Sequence, residues 1–354
     1  MPPQLMKAAL CKEFGKPIVV EQVPVPVPQG RELLVRVQAV SLCHTDLSIA
    51  AGALGPVPLP LIVGHEAVSV VEALGPEAAP YGLKVGDRIG APLWHAMCLQ
   101  CNDCRHNGPE FCPLMQVKGL TAPGYFSEYT CVDPASAVLI PEIDGGSFAS
   151  LAPVFCAGIT VWDALKRAKL QMNETVAVVG AGGLGEIAAR YAQAMGVKVI
   201  VLDVQDPQLQ AAKENGSADE VLNTSSVPAT ELPGRVAALN NGKLVDVVVV
   251  TTGALPAYQT SLNIVRTEGR IVAVGIPKSE LSFMLHTFTG RGLSLIGAKV
   301  AGKAAAQECL EFSLRKNILP KVHPRKFELE DINEMMELMQ AGKVQDGRMI
   351  VQFF

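Results

Sequence analysis

No long basic run occurs anywhere in the 354-residue chain, and its net charge is −4. Nucleic-acid or anionic-membrane binding therefore has no electrostatic support. Apolar stretches long enough to span a bilayer, about 20 residues, are also missing, because Gly, Pro and polar residues interrupt each one. Repeats and low-complexity tracts are absent. The opening Met-Pro-Pro-Gln-Leu-Met-Lys lacks the apolar core of a secretory signal, and nine cysteines, an odd number, do not suggest a disulfide framework. These absences make the cytosol the expected compartment, with no nucleic acid and no membrane as partner.

Bulk is what the chain does have. At this length one hydrophobic core is usually exceeded, and 49% hydrophobic with 18% charged residues suits a compact globular protein of two domains. Residues 1–156 are rich in Gly and Pro, with short β-branched runs such as Leu33–Val40 and Ala67–Leu74 and turns such as Val85-Gly-Asp-Arg88. That texture reads as a mostly β domain. From 157 to 297 apolar runs at Thr175–Val179, Val197–Leu202, Val245–Val250 and Arg270–Gly275 alternate with helical stretches. Strands this apolar predict a doubly wound parallel sheet covered on both faces, so the fold class is α/β. Residues 298–354 become helical and polar, then close with Arg348-Met-Ile-Val-Gln-Phe-Phe354, which is expected to return to the first domain.

Cys98, Cys101, Cys104 and Cys112 fall within fifteen residues, in a lobe of about 95–115. C-x2-C steps let thiolates converge on one tetrahedral ion, and Gly108-Pro109 helps the chain turn back for the fourth. Four thiolates leave no open position, so the expected ion is a structural zinc; the spacing alone also admits an iron–sulfur site.

Gly180-Ala-Gly-Gly-Leu-Gly185 is a G-x-G-x-x-G run between a predicted strand and a predicted helix. Gly180 permits the turn, Gly182 lets backbone approach a pyrophosphate, and Gly185 lets helix and strand pack closely, with Gly183 and Leu184 in the same loop. Asp203 ends the next strand, eighteen residues on, where a carboxylate accepts from an adenosine ribose. A 2′-phosphate there would meet like charge, so NAD is favoured over NADP.

Three more possible ligands stand in distinctive settings: Cys43 in Cys-His-Thr-Asp46, His65 in Gly-His-Glu66, and Cys156 in Pro153-Val-Phe-Cys-Ala-Gly158. Two thiolates and an imidazole leave a tetrahedral ion one open position, as a catalytic zinc requires. Spacing does not establish that residues so far apart converge. These motifs, with Val85–Arg88, the four-cysteine lobe, Gly124-Tyr-Phe-Ser-Glu-Tyr129, Cys156-Ala-Gly-Ile-Thr160 and Glu268–Gly275, resemble the zinc-dependent alcohol dehydrogenases of the medium-chain dehydrogenase/reductase superfamily. The resemblance covers nearly the whole chain, and the Cys156 segment is most similar to compact microbial and fungal members.

That resemblance implies a GroES-like catalytic domain, a Rossmann domain, two zinc ions per chain and reversible hydride transfer between NAD(H) and an alcohol–carbonyl pair. It implies that Cys43, His65 and Cys156 hold the catalytic zinc, with Glu66 close behind it and Asp46 orienting the histidine. Thr45 would contact the alcohol and begin the proton path. His44 and Arg348 would meet the cofactor pyrophosphate, and Thr160 and Val274 the nicotinamide. A homo-oligomer is expected, a tetramer more than a dimer. A reductase of activated double bonds and a non-catalytic nucleotide-binding scaffold are the alternatives weighed.

Three departures stand out. Where many relatives end a proton relay with histidine, this chain has Ser48, which has no near-neutral pKa with which to act as a base. Gly52-Ala-Leu54 replaces a segment that often carries tryptophan, and Leu93 aligns with a second pocket tryptophan, Trp94 being displaced by one. The pocket is therefore expected to admit substrates bulkier than ethanol. Ala67 and Ser69 stand where the family usually has glycine.

Overall fold

The computed structural model describes residues 2–55, 57–143, 148–344 and 347–354. The chain divides into two compact units: 1–156 with 301–311 and 319–354, and 157–300 with 312–318.

The first unit is built from short strands because its β-branched runs are cut every few residues by Gly and Pro. In chain order it contains β1 (Leu5–Cys11), β2 (Val19–Pro24), β3 (Leu33–Ser41), α1 (His44–Ala50), β4 (Leu61–Ile62), β5 (Ala67–Leu74), β6 (Arg88–Ala91), β7 (Trp94–His95), α2 (Asn102–His106), β8 (Gln116–Val117), β9 (Tyr129–Val132) and β10 (Val138–Leu139). Its main sheet runs β10-β6-β5-β3 and ends on a strand from the far end of the chain, Ile350–Gln352; β9 also pairs with β3. Antiparallel pairing of Ile350 with Ser41 and Gln352 with Ala39 brings the C-terminal segment beside the strand that leads into Cys43. Alternating residues of β3 and β5 face a core that includes Val35, Val37, Ala67, Val71, Phe126 and Met335.

The second unit begins with α3 (Ala157–Arg167) and continues β11 (Thr175–Val179), α4 (Gly183–Ala194), β12 (Lys198–Asp203), α5 (Asp206–Glu214), β13 (Glu220–Asn223), α6 (Leu232–Leu239), β14 (Val245–Val250), α7 (Leu255–Ile264), β15 (Val265–Ala273), α8 (Leu285–Arg291) and β16 (Ser294–Gly297). All neighbours are parallel, in the order β13-β12-β11-β14-β15-β16. Counted from β11, that is 3-2-1-4-5-6, the Rossmann arrangement whose order reverses beside the first strand. The central strands are almost wholly buried, as their uninterrupted Val and Ile runs require.

The chain then forms α9 (Lys303–Lys316) and α10 (Ile332–Gln340) and ends in β17 (Ile350–Gln352). Within the second unit, Phe312 of α9 packs 4.9 Å from Trp162 and 5.7 Å from Tyr191, whose hydroxyl hydrogen-bonds Ser313 at 2.6 Å. These contacts account for residues 312–318 belonging to that unit. Among the described residues no single helix is long and apolar enough to cross a membrane.

Candidate functional site

Cys43 ends the turn after β3 and is the N-cap of α1, with extended backbone at φ −121° and ψ 154°. The first turn of that helix places Asp46 inward, fully buried, and leaves His44 and Thr45 exposed. Asp46 serves two candidate ligand residues at once. Its Oδ1 lies 2.8 Å from His65 Nδ1, and its Oδ2 accepts the Cys43 backbone N–H at 3.0 Å. Cys156 follows a short 3-10 helix, Phe148–Phe155, and is 8% exposed.

Candidate ligand atoms of Cys43, His65, Glu66 and Cys156 all lie within 4.8 Å of one another. With Nδ1 donating to Asp46, His65 turns its other nitrogen toward the thiols. That Nε2 is buried and has no hydrogen-bond partner among the described residues, which is the arrangement a metal ion would complete. The electrostatics agree with a cation. The hydrogen bond from Cys156 draws the Cys43 thiol well below its usual range, against burial, while the same bond and burial hold Cys156 well above it. Burial opposes charge on His65, but Asp46 and Cys43 outweigh it and raise the imidazole. Two soft sulfurs and an oriented imidazole are a zinc donor set.

Glu66, fully buried among these residues, is bonded to the Arg348 guanidinium, which also donates to Ser41 Oγ at 3.3 Å. Burial pushes the Glu66 carboxyl up to about 7, with Arg348 opposing. The structure thus brings Arg348, expected at the pyrophosphate, onto Glu66. Ser41, which sequence reading overlooked, lies only two residues before Cys43 but carries no motif of its own. Ser48 is half-buried, and its hydroxyl donates to the His44 carbonyl at 3.2 Å, within α1.

In the cysteine lobe all four sulfurs lie within 4.8 Å of one another. The N–H groups of Cys101 and Cys104 each point at the sulfur three residues earlier, at 3.4 Å, and Cys98 N–H points at Cys112 Sγ at the same distance. Backbone donors from Gln100 and Cys101 bring the Cys98 thiol down to about 6, while desolvation and the neighbouring thiols hold Cys104 up at about 12. This is a closed four-sulfur shell suited to a structural zinc.

In the second unit the glycine loop leaves β11 and opens α4. Gly180 has φ +102°, and a Cβ on Gly185 would stand 1.8 Å from the Gly180 carbonyl oxygen, so only glycine lets helix and strand meet here. Gly182, the N-cap of α4, has nothing within 4 Å of where its Cβ would be, and Gly183 is exposed beside it, so the helix N-terminus offers backbone N–H groups to a phosphate. Asp203 ends β12. Its Oδ2 accepts Ala181 N–H at 2.6 Å, and its Oδ1 accepts those of Val204 and Gln205 at 2.7 and 3.0 Å. A carboxylate fixed this way suits ribose hydroxyls and repels a 2′-phosphate. Leu184 and Thr160 are half-buried on α4 and α3, and Val274 is 9% exposed just after β15.

The chain matches two family models, the alcohol dehydrogenase GroES-like domain over residues 29–142 and the zinc-binding dehydrogenase domain over 183–315. An alcohol dehydrogenase of Geobacillus stearothermophilus is 36% identical over 351 residues, covering 98% of this chain and 99% of that one. One of Rhizobium meliloti is 34% identical over 348 residues, covering 98% of each. The solved alcohol dehydrogenase of Aeropyrum pernix superposes with a TM-score of 0.87 at 28% identity, over 98% of this chain and 100% of that one. With both halves matched and the relatives covered end to end, the chain belongs to the zinc-type alcohol dehydrogenases of the medium-chain dehydrogenase/reductase superfamily.

Proposed function

We propose that this NAD-dependent zinc alcohol dehydrogenase works on alcohol–carbonyl pairs bulkier than ethanol, with one zinc in the four-cysteine lobe and one held by Cys43, His65 and Cys156. The observation that carries the catalytic assignment is the orphaned His65 Nε2 facing two thiols, with Asp46 behind the ring. When bound, zinc supplies Lewis-acid polarisation of the substrate oxygen and the nicotinamide carries the hydride. The protein's share is orientation and proton handling. Asp46 fixes the His65 tautomer, and Thr45, exposed one residue after His44, presents a hydroxyl to the substrate oxygen. Thr45 would begin the path by which the substrate proton leaves for solvent. His44 would serve the pyrophosphate together with Arg348, whose guanidinium is also paired with Glu66; Thr160 and Val274 would serve the nicotinamide, Asp203 the adenosine ribose, and Glu66 would stand as a carboxylate close to a bound zinc.

Substrate size follows from the rings that are missing. Leu54 lies in the segment where compact relatives often carry tryptophan and Leu93 aligns with a second such position, while the Trp94 indole is buried with its N–H on the Ala301 carbonyl at 3.1 Å. Trp94 is thereby committed to the C-terminal segment and does not replace the lost rings. A homo-oligomer, a tetramer more than a dimer, is part of the same reading. Among the described residues strand β16 is the edge of its sheet, with Leu295 44% exposed, and Ile276, Met284 and Leu285 of the same unit are exposed too. Nine cysteines, none in a disulfide, suit the cytosol.

The test is nicotinamide absorbance during turnover, with NADH and NADPH against a panel from acetaldehyde to aromatic and branched ketones. NADH consumption fastest with the bulky carbonyls is the expected result. Faster turnover of acetaldehyde than of every aromatic or branched carbonyl overturns the size argument.

A further inference from the structure

Lys118 is 2% exposed, and lysine is rarely buried so completely unless its ammonium is paired. Its Nζ donates to Thr130 Oγ1 and to the Cys131 carbonyl, each at 2.8 Å, and lies 5.3 Å from the centroid of the Tyr125 ring. Both acceptors are on β9, which is paired with β3 from Leu33 to Arg36. The Lys118 backbone N–H donates to the Leu93 carbonyl at 2.8 Å. An apolar side chain of the same length would fill this space without the desolvation penalty. What the Nζ donors add is direction, because two fixed acceptors select one rotamer and one register for the turn that Lys118 begins.

That turn is tight. The N–H groups of Leu120, Thr121 and Ala122 all converge on the Val117 carbonyl, and Gly119 N–H bonds the Ala122 carbonyl at 2.8 Å. Gly119, at φ +76°, lies so close to Gly64 that a Cβ there would be 2.6 Å from the Gly64 oxygen. The same oxygen accepts Tyr125 N–H at 3.1 Å, and the Phe126 ring closes the other side of Gly64, whose own φ is +98°. The Gly64 peptide, which leads directly into His65, is therefore held between the turn that Lys118 anchors and the segment whose ring faces the ammonium.

We propose that Lys118 is a positioning residue for the reaction: by fastening the 118–122 turn to β9 it fixes the Gly64 peptide and, through it, the seat of the His65 imidazole. The inference rests on the reading of His65 as a metal ligand. Misplacing a ligand by a fraction of an ångström, or removing a group that orients one, costs about 10- to 100-fold in activity or metal affinity.

The experiment replaces zinc with cobalt(II) in the full-length protein, in Lys118→Met and in Thr130→Val. The His65 site is isolated spectroscopically as the difference between each protein and its His65→Ala counterpart. The wild type is expected to show thiolate charge-transfer and d–d bands in that difference. Lys118→Met should shift the d–d bands and lower kcat about tenfold, leaving the KM for NADH within twofold. Thr130→Val keeps the lysine nitrogen but removes one acceptor, and should move both readouts in the same direction by about threefold in kcat. Unchanged bands with kcat within twofold in Lys118→Met overturn the inference; if that variant does not fold, the same result in Thr130→Val does so. Absence of the difference bands in the wild type defeats the ligand reading instead.

Discussion

Asp46→Asn is the most informative single substitution, because the change is isosteric and the geometry leaves the amide no good orientation. The carboxylate accepts from His65 Nδ1 at 2.8 Å with one oxygen and from Cys43 N–H at 3.0 Å with the other. An asparagine has only one acceptor. If its oxygen faces His65, its NH2 opposes the Cys43 N–H and leaves a buried donor unpaired, a cost of about 1–3 kcal/mol. If its NH2 faces His65, Nδ1 must become the acceptor, and the imidazole proton moves to Nε2, the atom turned toward Cys43 and Cys156. A protonated Nε2 is no ligand.

Either orientation therefore weakens the site, and about 1.4 kcal/mol per factor of ten translates the lower cost into roughly 5- to 100-fold in metal affinity. The measurement is zinc competition against a chromophoric chelator, following the more weakly held of the bound metals, with kcat for the best carbonyl in parallel. Retention of the wild-type affinity within threefold would show that the carboxylate neither sets the tautomer nor supports Cys43, and the account of the site built on Asp46 would fail. Asp46→Ala separates the two effects, since it removes both bonds without forcing the proton onto Nε2.

Ser48→His should raise alcohol oxidation near neutral pH more than carbonyl reduction, measured as paired kcat values; no change removes the relay argument. Gly185→Ala places a methyl 1.8 Å from the Gly180 carbonyl and should abolish NADH binding by fluorescence titration while the four-cysteine lobe keeps its metal. Ser69→Ala removes a hydroxyl that is 2% exposed and has no partner among the described residues, and should stabilise the fold by about 1 kcal/mol in denaturant unfolding. Lys118, facing Glu32, the Cys131 thiol and the Tyr125 ring, is brought down to about 7 by burial, with Cys131 and Glu32 opposing. Between that value and the ordinary 10.5 the unfolded chain holds a proton the folded chain has shed. Wild-type stability should therefore rise relative to Lys118→Met as pH climbs from 7, by at most about 1.4 kcal/mol per unit, and a flat difference would refute it.

The sequence carried the parts of this molecule that depend on local spacing. Four cysteines at C-x2-C-x2-C-x7-C place their sulfurs within 4.8 Å because three of them share one turn and a short helix. The glycine fingerprint was legible for the same reason: strand, turn and helix N-terminus are consecutive, and Asp203 falls at the end of the next parallel strand. Family pattern, not spacing, singled out Cys43, His65 and Cys156. The structure supplies what spacing lacked, since β3 delivers Cys43, the segment before β5 delivers His65, and Asp46 links them across nineteen positions.

What no pattern revealed are contacts made by residues with bland sequence surroundings. Arg348 reaches Glu66 across 282 positions because β17 closes the sheet beside β3, and the bond follows from that pairing rather than from any motif. Ser48 turns its hydroxyl to its own helix, a choice made by α1 geometry that reading the position as a relay member does not anticipate. Lys118 sits in Gln-Val-Lys-Gly-Leu, which reads as an ordinary solvated lysine before a turn. Only the pairing of β9 with β3 puts two acceptors and an aromatic face where that side chain must go. For Arg348 and Lys118 a charged group owes its contacts to a strand brought from elsewhere in the chain, so its contribution has to be measured at the group it contacts rather than at the residue itself.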